Sequence, residues 1–210
     1  MEWQRLVVGS LQENTYIIWN DEREGLIIDP GSESKRIIDF IQEKNIRPLA
    51  ILLTHAHFDH IGAVDNVRDA FKIPVYIHKN EEDWLEDPNK NGSAHFPLGI
   101  VSARKAEHII EKEQDLTLGS FQFQIFETPG HSPGSVSFYF QTDNVVFSGD
   151  ALFQGSIGRT DLPFGNYQQL IESIHKKLLV LPEETVVCPG HGPETTIDRE
   201  MNSNPFLSGF

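Results

Sequence analysis

Three histidines and an aspartate stand within six positions of the segment "ILLTHAHFDHIGA", residues 51–63. They are His55, His57, Asp59 and His60, and they directly follow an apolar run. A strand leading into a helix would fold as well with serine, asparagine or glycine there, so folding alone does not require these residues. Imidazole and carboxylate groups bind metal ions and transfer protons. The segment is therefore a candidate for chemistry.

Three later segments have the same form, in which an apolar run leads through a small-residue turn to a possible metal ligand. The segments "IFETPGHSPGS", "VVFSGDALF" and "VVCPGHGP" supply His131, Asp150 and His191. A single strand-end histidine is more often a solvated side chain than a ligand, and an aspartate after glycine is more often a turn residue. Four segments of one form favour a shared site at the edge of a sheet, where open α/β folds place their sites.

The donor atoms of these seven residues are nitrogen and oxygen, which suits Zn, Fe or Mn. Seven ligands are too many for one tetrahedral ion but fit two ions with a bridging carboxylate. The sequence therefore predicts two divalent metal ions, with Zn²⁺ as the first expectation and Fe or Mn as alternatives. The one cysteine, Cys188, falls in an apolar run and is predicted to be inert packing.

Strand and helix patterns alternate along the chain. Strands are predicted at "NTYIIW", "GLIIDPG", "PLAILLTH" and "PVYIH", with helices at "SKRIIDFIQEKN" and "HIGAVDNVRDAF". The second half predicts hairpin strands, a helix at "YQQLIESIHKKLLVL" and a last strand at "TVVCPGH". No linker or repeat interrupts residues 1–210, so one layered α/β domain is expected.

Composition narrows the partners and the location. The formal net charge of -14 opposes attraction to nucleic acid, although bound divalent cations would add local positive charge. The apolar stretches are far shorter than the roughly 20 residues that span a bilayer, so no membrane insertion is expected. The start "MEWQRLVVGS" has no secretory pattern, and a single cysteine allows no internal disulfide. A cytoplasmic protein is expected, and the oligomeric state stays open.

The spacing His-x-His-x-Asp-His at residues 55–60, with the later "PGHSPGS", "SGDALF" and "PGHGP", closely resembles the metallo-β-lactamase superfamily over nearly the whole chain. The resemblance implies a four-layered αβ/βα sandwich. It also implies that one metal is bound by His55, His57 and His131, that the other is bound by Asp59, His60 and His191, and that Asp150 bridges them.

Within the superfamily, "GDALFQGSIGRTDL" and "PGHGPETTIDREMNSNPF" resemble the hydroxyacylglutathione hydrolases, or glyoxalase II, in particular their short bacterial branch. Full-length members carry a further C-terminal helical region with basic residues for the glutathione carboxylate, whereas this sequence ends at Phe210. Pro193 stands where those enzymes place a tyrosine, and a basic residue is retained as Arg159. The resemblance thus supports thioester hydrolysis better than it supports glutathione as the thiol.

The implied reaction is hydrolysis of a small-molecule 2-hydroxyacyl thioester such as S-lactoyl-glutathione. Asp59 and Asp150 are the predicted catalytic carboxylates, Asp59 because it could both ligate a metal and orient the attacking hydroxide. Arg159 and His95 are the predicted substrate-binding residues, Arg159 for an anionic thiol and His95 from an irregular loop. A structural salt bridge is the alternative for Arg159.

Other functions and other histidines complete the sequence-based expectations. The segment "GRTD" is shared with iron-dependent persulfide dioxygenases, and a metal-dependent phosphodiesterase or nuclease is a further alternative on the same fold. A serine hydrolase is disfavoured because no Gly-x-Ser-x-Gly segment occurs.

His108 and His175 are expected at the surface. The acidic run "NEEDWLEDPN" is interpreted as a solvated helix face with Trp84 as its buried anchor.

Overall fold

The computed structural model describes residues 1–207, which form two compact units. The first unit contains Met1–Glu111 and Leu118–Phe121, and the second contains Lys112–Thr117 and residues 122–207. The expectation of one domain over 1–210 stays a prediction.

A six-stranded sheet with the strand order β1-β2-β3-β4-β5-β6 forms the centre of the first unit. Its strands are β1 (Glu2–Val8), β2 (Glu13–Trp19), β3 (Glu24–Ile28), β4 (Arg47–Leu52), β5 (Val75–His78) and β6 (His108–Ile110). The first three strands pair antiparallel, and β3 to β6 pair parallel. All seven residues of β2 are buried, as expected for a strand with neighbours on both sides and both faces covered.

The helices of the first unit are α1 (Ser34–Glu43), α2 (Phe58–Ile61) and α3 (Val64–Phe71). In α1 the predicted amphipathic pattern buries Ile37 and Ile41 completely, four residues apart on one face. Short 3₁₀ turns cover Lys79–Trp84 and Ser93–His95.

The structure replaces the single helix predicted at "HIGAVDNVRDAF" by α2 and α3, with a break at Gly62 and Ala63. At this break the Ala63 amide donates to the carbonyl of Pro30 at 2.9 Å. A Cβ on Gly62 would stand 2.5 Å from the carbonyl oxygen of Gly31, so the chain passes directly against the turn that follows β3. A hydrogen bond to another segment therefore replaces continuation of the helix.

The second unit has its own six-stranded sheet, ordered β14-β13-β10-β9-β8-β7, and a two-stranded ribbon. The strands are β7 (Gln114–Leu118), β8 (Phe121–Glu127), β9 (Val136–Phe140), β10 (Val145–Gly149), β11 (Leu152–Phe153), β12 (Ser156–Ile157), β13 (Val186–Pro189) and β14 (Thr195–Thr196). A 3₁₀ turn covers Gln141–Asp143. The pairs β8–β9, β9–β10 and β13–β14 are antiparallel, whereas β10 and β13 run parallel.

Two helices, α4 (Tyr167–Ser173) and α5 (Ile197–Ser203), belong to the second unit, and a π-helical turn at Ile174–Leu178 extends α4. Leu170, Ile174 and Leu178 are fully buried, four residues apart on one face. Cys188 is buried, in agreement with its predicted packing role. Within residues 1–207, no helix has the length and apolar character needed to cross a membrane.

Candidate metal centre

The first unit presents a cluster of imidazoles in the turn after β4 and in the first turn of α2. His55 and His60 are fully buried, and their ring centroids lie 4.1 Å apart. His57 is buried beside them, with its ring edge-on to His55 at 4.8 Å. Asp59 keeps part of its side chain exposed. Buried imidazoles require polar partners, so this density of rings is unsuited to apolar packing.

Asp29, which the sequence patterns did not single out, organises this cluster. Its Oδ1 accepts from the Thr54 amide at 2.7 Å, and its Oδ2 accepts from the Thr54 hydroxyl at 2.5 Å. The same Oδ2 lies 3.0 Å from Nδ1 of His60. The Thr54 hydroxyl in turn lies 3.0 Å from Nδ1 of His55.

These contacts determine where the imidazole protons reside. A carboxylate only accepts, so His60 carries its proton on Nδ1. The Thr54 hydroxyl has one proton, which it donates to Asp29, and it therefore accepts from Nδ1 of His55. Both neutral rings are left with the lone pair on Nε2, the arrangement in which an outer carboxylate prepares histidines for metal binding.

The position of Asp29 follows from the sheet. Asp29 comes directly after β3, and its amide donates to the Leu52 carbonyl at the end of the parallel neighbour β4. Its φ of +48° is a left-handed conformation that aspartate adopts more readily than most residues. A signal was present in "GLIIDPG", in which a carboxylate directly follows an apolar strand and precedes a Pro-Gly turn.

Two buried glutamates also support the cluster. Glu81 is fully buried and accepts from the Ala56 amide, between the first two histidines, at 2.6 Å. The interpretation of "NEEDWLEDPN" as a solvated face is therefore wrong for Glu81, because this backbone donor needs a buried acceptor. Trp84 is buried as predicted. Burial raises the pKa of Glu13, which lies 3.8 Å from Nδ1 of His60.

The second unit presents His131, Asp150 and His191 at the ends of β8, β10 and β13. Oδ2 of Asp150 lies 3.5 Å from Nε2 of His131 and 3.7 Å from Nε2 of His191. The parallel pairing of β10 and β13 explains why two of these residues meet, since parallel strands end at the same edge of a sheet. The Gly190 amide also donates to the Gly149 carbonyl at 2.8 Å, which joins the two turns.

The backbone of Arg159 sets the orientation of His131. Nδ1 of His131 lies 2.8 Å from the Arg159 carbonyl oxygen, which can only accept, so the ring proton is on Nδ1. Nε2 of His131 then faces the Asp150 carboxylate. An imidazole nitrogen and a carboxylate oxygen placed in this way are a donor set that a metal ion can take.

Gly158 allows the chain to pass close to Asp150 and His131. A Cβ at Gly158 would stand 1.8 Å from the Asp150 carbonyl oxygen and 3.2 Å from Cβ of His131. The ribbon β11–β12 thus returns the chain directly against both residues.

The donor set of each cluster fits a metal ion. The first unit offers three imidazoles and the Asp59 carboxylate, and the second offers two imidazoles and the Asp150 carboxylate. Three of the five imidazole rings form a hydrogen bond between Nδ1 and a protein oxygen. Nitrogen and oxygen donors of this kind bind Zn, Fe or Mn.

The two predicted substrate-binding residues lie at the surface of their units. His95 is exposed in the 3₁₀ turn Ser93–His95. Arg159 is exposed and forms a bidentate ion pair with Asp161, with distances of 2.7 and 2.8 Å. The hydrogen bonds from Arg159 lower the pKa of Asp161 to about 2. The ion pair considered as an alternative for Arg159 is therefore present, and substrate binding by either residue stays a prediction.

A family model described as the metallo-β-lactamase superfamily matches residues 8–191. The chain belongs to this superfamily. Its relatives include "Probable metallo-hydrolase YqgX" of Bacillus subtilis, 53% identical over 100% of this chain and 99% of that protein. "Hydroxyacylglutathione hydrolase GloC" of Haemophilus influenzae is 38% identical over 99% of each chain. The chain is thus a metallo-hydrolase of the superfamily.

Solved structures show the same fold. The crystal structure of BLEG-1 B3 metallo-β-lactamase is 54% identical and covers 99% of this chain and 100% of its own, with a TM-score of 0.97. TTHA1623 in a di-iron-bound form is 42% identical over 97% of this chain and 100% of its own, with a TM-score of 0.87. The predicted fold class, an α/β sandwich of the metallo-β-lactamase type, is confirmed.

Proposed function

We propose that this protein hydrolyses a 2-hydroxyacyl thioester of a small thiol, such as S-lactoyl-glutathione, with two bound divalent metal ions. The observation that carries the proposal is the presence of two clusters of histidine and aspartate. In these clusters, three of the five imidazole rings hydrogen-bond through Nδ1 to a protein oxygen. The relative named hydroxyacylglutathione hydrolase supports the substrate class.

The proposed ligand assignment is the one that the family resemblance implies. His55, His57 and His131 would hold one ion, Asp59, His60 and His191 would hold the other, and Asp150 would contribute to both. The di-iron-bound relative supports two ions and makes iron a candidate beside Zn²⁺. Two metal ions supply Lewis acidity and lower the pKa of bound water to about 7.

The side chains of this chain have distinct tasks in the proposed reaction. Asp59 is the more exposed of the cluster carboxylates, so it can accept a hydrogen bond from the attacking water and orient it. Asp29 acts through His55 and His60, because the hydrogen bonds at their Nδ1 atoms leave Nε2 as the nitrogen that can ligate a metal ion. A thiol leaving group has a pKa near 8.5 and departs largely as thiolate, so no strong general acid is needed.

Arg159 is proposed to bind an anionic group of the thiol. Its guanidinium has five N–H donors, and the pair with Asp161 uses two of them. The remaining donors can bind a carboxylate of the substrate. Such binding is equal in ground and transition states, so Arg159→Ala should raise KM about ten- to a hundredfold with little change in kcat. This rise in KM should nearly vanish on a thioester of an uncharged thiol. An equal rise on both esters would favour a purely structural ion pair.

A second candidate function is β-lactam hydrolysis, which is favoured by the 54% identity to BLEG-1 B3 metallo-β-lactamase. The decisive assay compares lactoyl thioesters, a β-lactam, glutathione persulfide with oxygen consumption, and bis-p-nitrophenyl phosphate. The proposal requires the highest kcat/KM on the thioester. A higher value on another substrate would assign the protein to that activity instead.

Asp150→Ala should lower kcat on the thioester by orders of magnitude, because it removes the carboxylate between two histidines. His95→Ala is the matched comparison, because His95 is exposed and at most contacts substrate from a loop. Near-native turnover of Asp150→Ala would contradict the proposed site, as would equal losses in the two variants.

A further inference from the structure

A cavity of about 180 Å³ lies in the first unit beside Asp59. Four segments form it: the end of β1 with its following turn, the turn after β3, the beginning of α2, and the loop that precedes β6. Its apolar lining residues are Val8, Leu11, Phe58, Leu98 and Val101. The cavity therefore adjoins a side chain that the proposed function places at the reacting centre.

The lining is uncharged except for Asp59. Ser10 and Ser32 are its hydroxyl-bearing residues. At the mouth, Leu11 and Leu98 are 41% and 46% exposed, although leucine is usually covered. An apolar group that enters the cavity removes these side chains from water, which is favourable in proportion to the area covered.

The size and charge of the cavity select which part of a thioester can occupy it. Pockets for whole small molecules usually measure about 300–1,000 Å³, so this cavity accommodates only a fragment of such a ligand. No cationic side chain lines the cavity, so it offers no partner to the carboxylates of an anionic thiol. A short, uncharged acyl group fits both the volume of the cavity and the charge of its lining.

We infer that this cavity binds the acyl group of the substrate and selects short, uncharged acyl chains. The inference rests on the proposed thioester hydrolysis and adds the acyl specificity to it. The apolar walls receive the carbon chain, and the serine hydroxyls offer hydrogen bonds to a 2-hydroxyl group.

The test compares kcat/KM for acetyl, lactoyl, butyryl and hexanoyl thioesters of glutathione in the metal-loaded protein. Each buried methylene should increase kcat/KM about three- to fourfold, so the butyryl to acetyl ratio should be about ten in the wild type. Leu98→Trp fills the cavity and should reduce this ratio to about one. Leu98→Ala enlarges the cavity and should raise the hexanoyl to butyryl ratio.

Ile100→Ala is the matched control, since Ile100 is 69% exposed in the same loop and does not line the cavity. It should keep the wild-type ratios. A binding measurement complements the kinetics: a stable ketone analogue, with a methylene between sulfur and the butyryl carbonyl, is titrated by calorimetry. Its Kd should weaken at least about tenfold in Leu98→Trp and stay unchanged in Ile100→Ala.

The outcomes separate the inference from the proposed function. Equal acyl ratios in the wild type and both Leu98 variants, with thioesters still hydrolysed, would overturn the acyl cavity alone. An unchanged Kd of the ketone analogue in Leu98→Trp would do the same. Failure of the wild type to hydrolyse any thioester would overturn the proposed function and the acyl cavity with it.

Discussion

At the scale of single residues, the orientation of the histidines depends on neighbouring oxygen atoms that accept hydrogen bonds from their Nδ1 atoms. Asp29 receives hydrogen bonds from Thr54 and lies against His60, while Thr54 passes the same constraint to His55. The Arg159 carbonyl acts in the same way on His131. Substitution of such a residue should therefore alter metal affinity even though the residue is not a proposed ligand.

Asp29→Asn should weaken metal binding by about 10- to 100-fold. The carboxylate accepts hydrogen bonds at both oxygens, whereas the amide would turn an N–H group towards one of these donors. Chelator competition with Co²⁺, followed by the visible spectrum of the bound ion, measures this directly. Asp21→Asn, an identical change at an exposed turn, should leave the affinity unchanged. Equal affinity in the two variants would show that Asp29 does not position the histidines.

The ion pair of Arg159 and Asp161 makes a pH-dependent prediction. The Asp161 pKa is lowered from 3.8 to about 2, so the contribution of the pair to stability is present above pH 3.8 and is lost as the pH falls through about 2. Arg159→Ala should return the Asp161 pKa towards 3.8, as measured by NMR of the carboxyl carbon. Arg23→Ala, in the other unit, should leave it near 2, and a low value in Arg159→Ala would assign the shift to the backbone instead.

At the scale of elements, strand ends and tight turns bring the ligand types together within each unit. The parallel pairs β3–β4 and β10–β13 each end in polar side chains at one edge of a sheet. The ribbon β11–β12 then places Gly158 against Asp150 and His131. Close backbone approach is therefore part of the construction of the second cluster.

Gly158→Ala should displace this ribbon, because the new methyl group would overlap the Asp150 carbonyl oxygen. We expect loss of metal from the purified protein and destabilisation of more than about 1 kcal/mol, measured by elemental analysis and denaturant unfolding. Gly155→Ala is the control in the same ribbon. It meets nothing within 4 Å and adds only the strain of its φ of +65°, about 1 kcal/mol, with metal content unchanged. Full metal content in Gly158→Ala would contradict this role of the glycine.

At the scale of the whole molecule, the proposed metal ions are also part of folding stability. Buried imidazoles and carboxylates are costly without a cation, and a ligand that binds only the native state stabilises it by mass action. The acidic composition, with its formal net charge of -14, favours the uptake of divalent cations in the same direction.

Saturation with Zn²⁺, Fe²⁺ or Mn²⁺ should give two ions per chain and should raise Tm relative to chelator-treated protein. A free metal concentration of 100 times Kd corresponds to about 2.7 kcal/mol for one site, or about 5–10 °C for a chain of this size. Elemental analysis and scanning calorimetry measure the two quantities. A stoichiometry that stays at one would contradict the two-metal proposal and favour the iron-dependent dioxygenase alternative.

Local patterns in the sequence were sufficient for a layered α/β fold, for most strands and for the amphipathic helix α1, whereas the sandwich arrangement was implied by the family resemblance. Alternation of apolar and polar residues is a property of each segment and needs no distant partner, so Ile37 and Ile41 could be recognised directly. The ligand types were visible for the same reason, since each follows an apolar strand and a small-residue turn. Their assignment to individual metal ions stays a prediction.

Tertiary structure decided the features that depend on residues far apart in the chain. Asp29 acts on Thr54, 25 positions later, because β3 and β4 lie side by side. Glu81 is buried in an acidic run because the Ala56 amide requires an acceptor, and the helix breaks at Gly62 because its backbone meets the turn after β3. A hydrogen bond between distant segments leaves no periodic trace in either one, so only the folded chain reveals it.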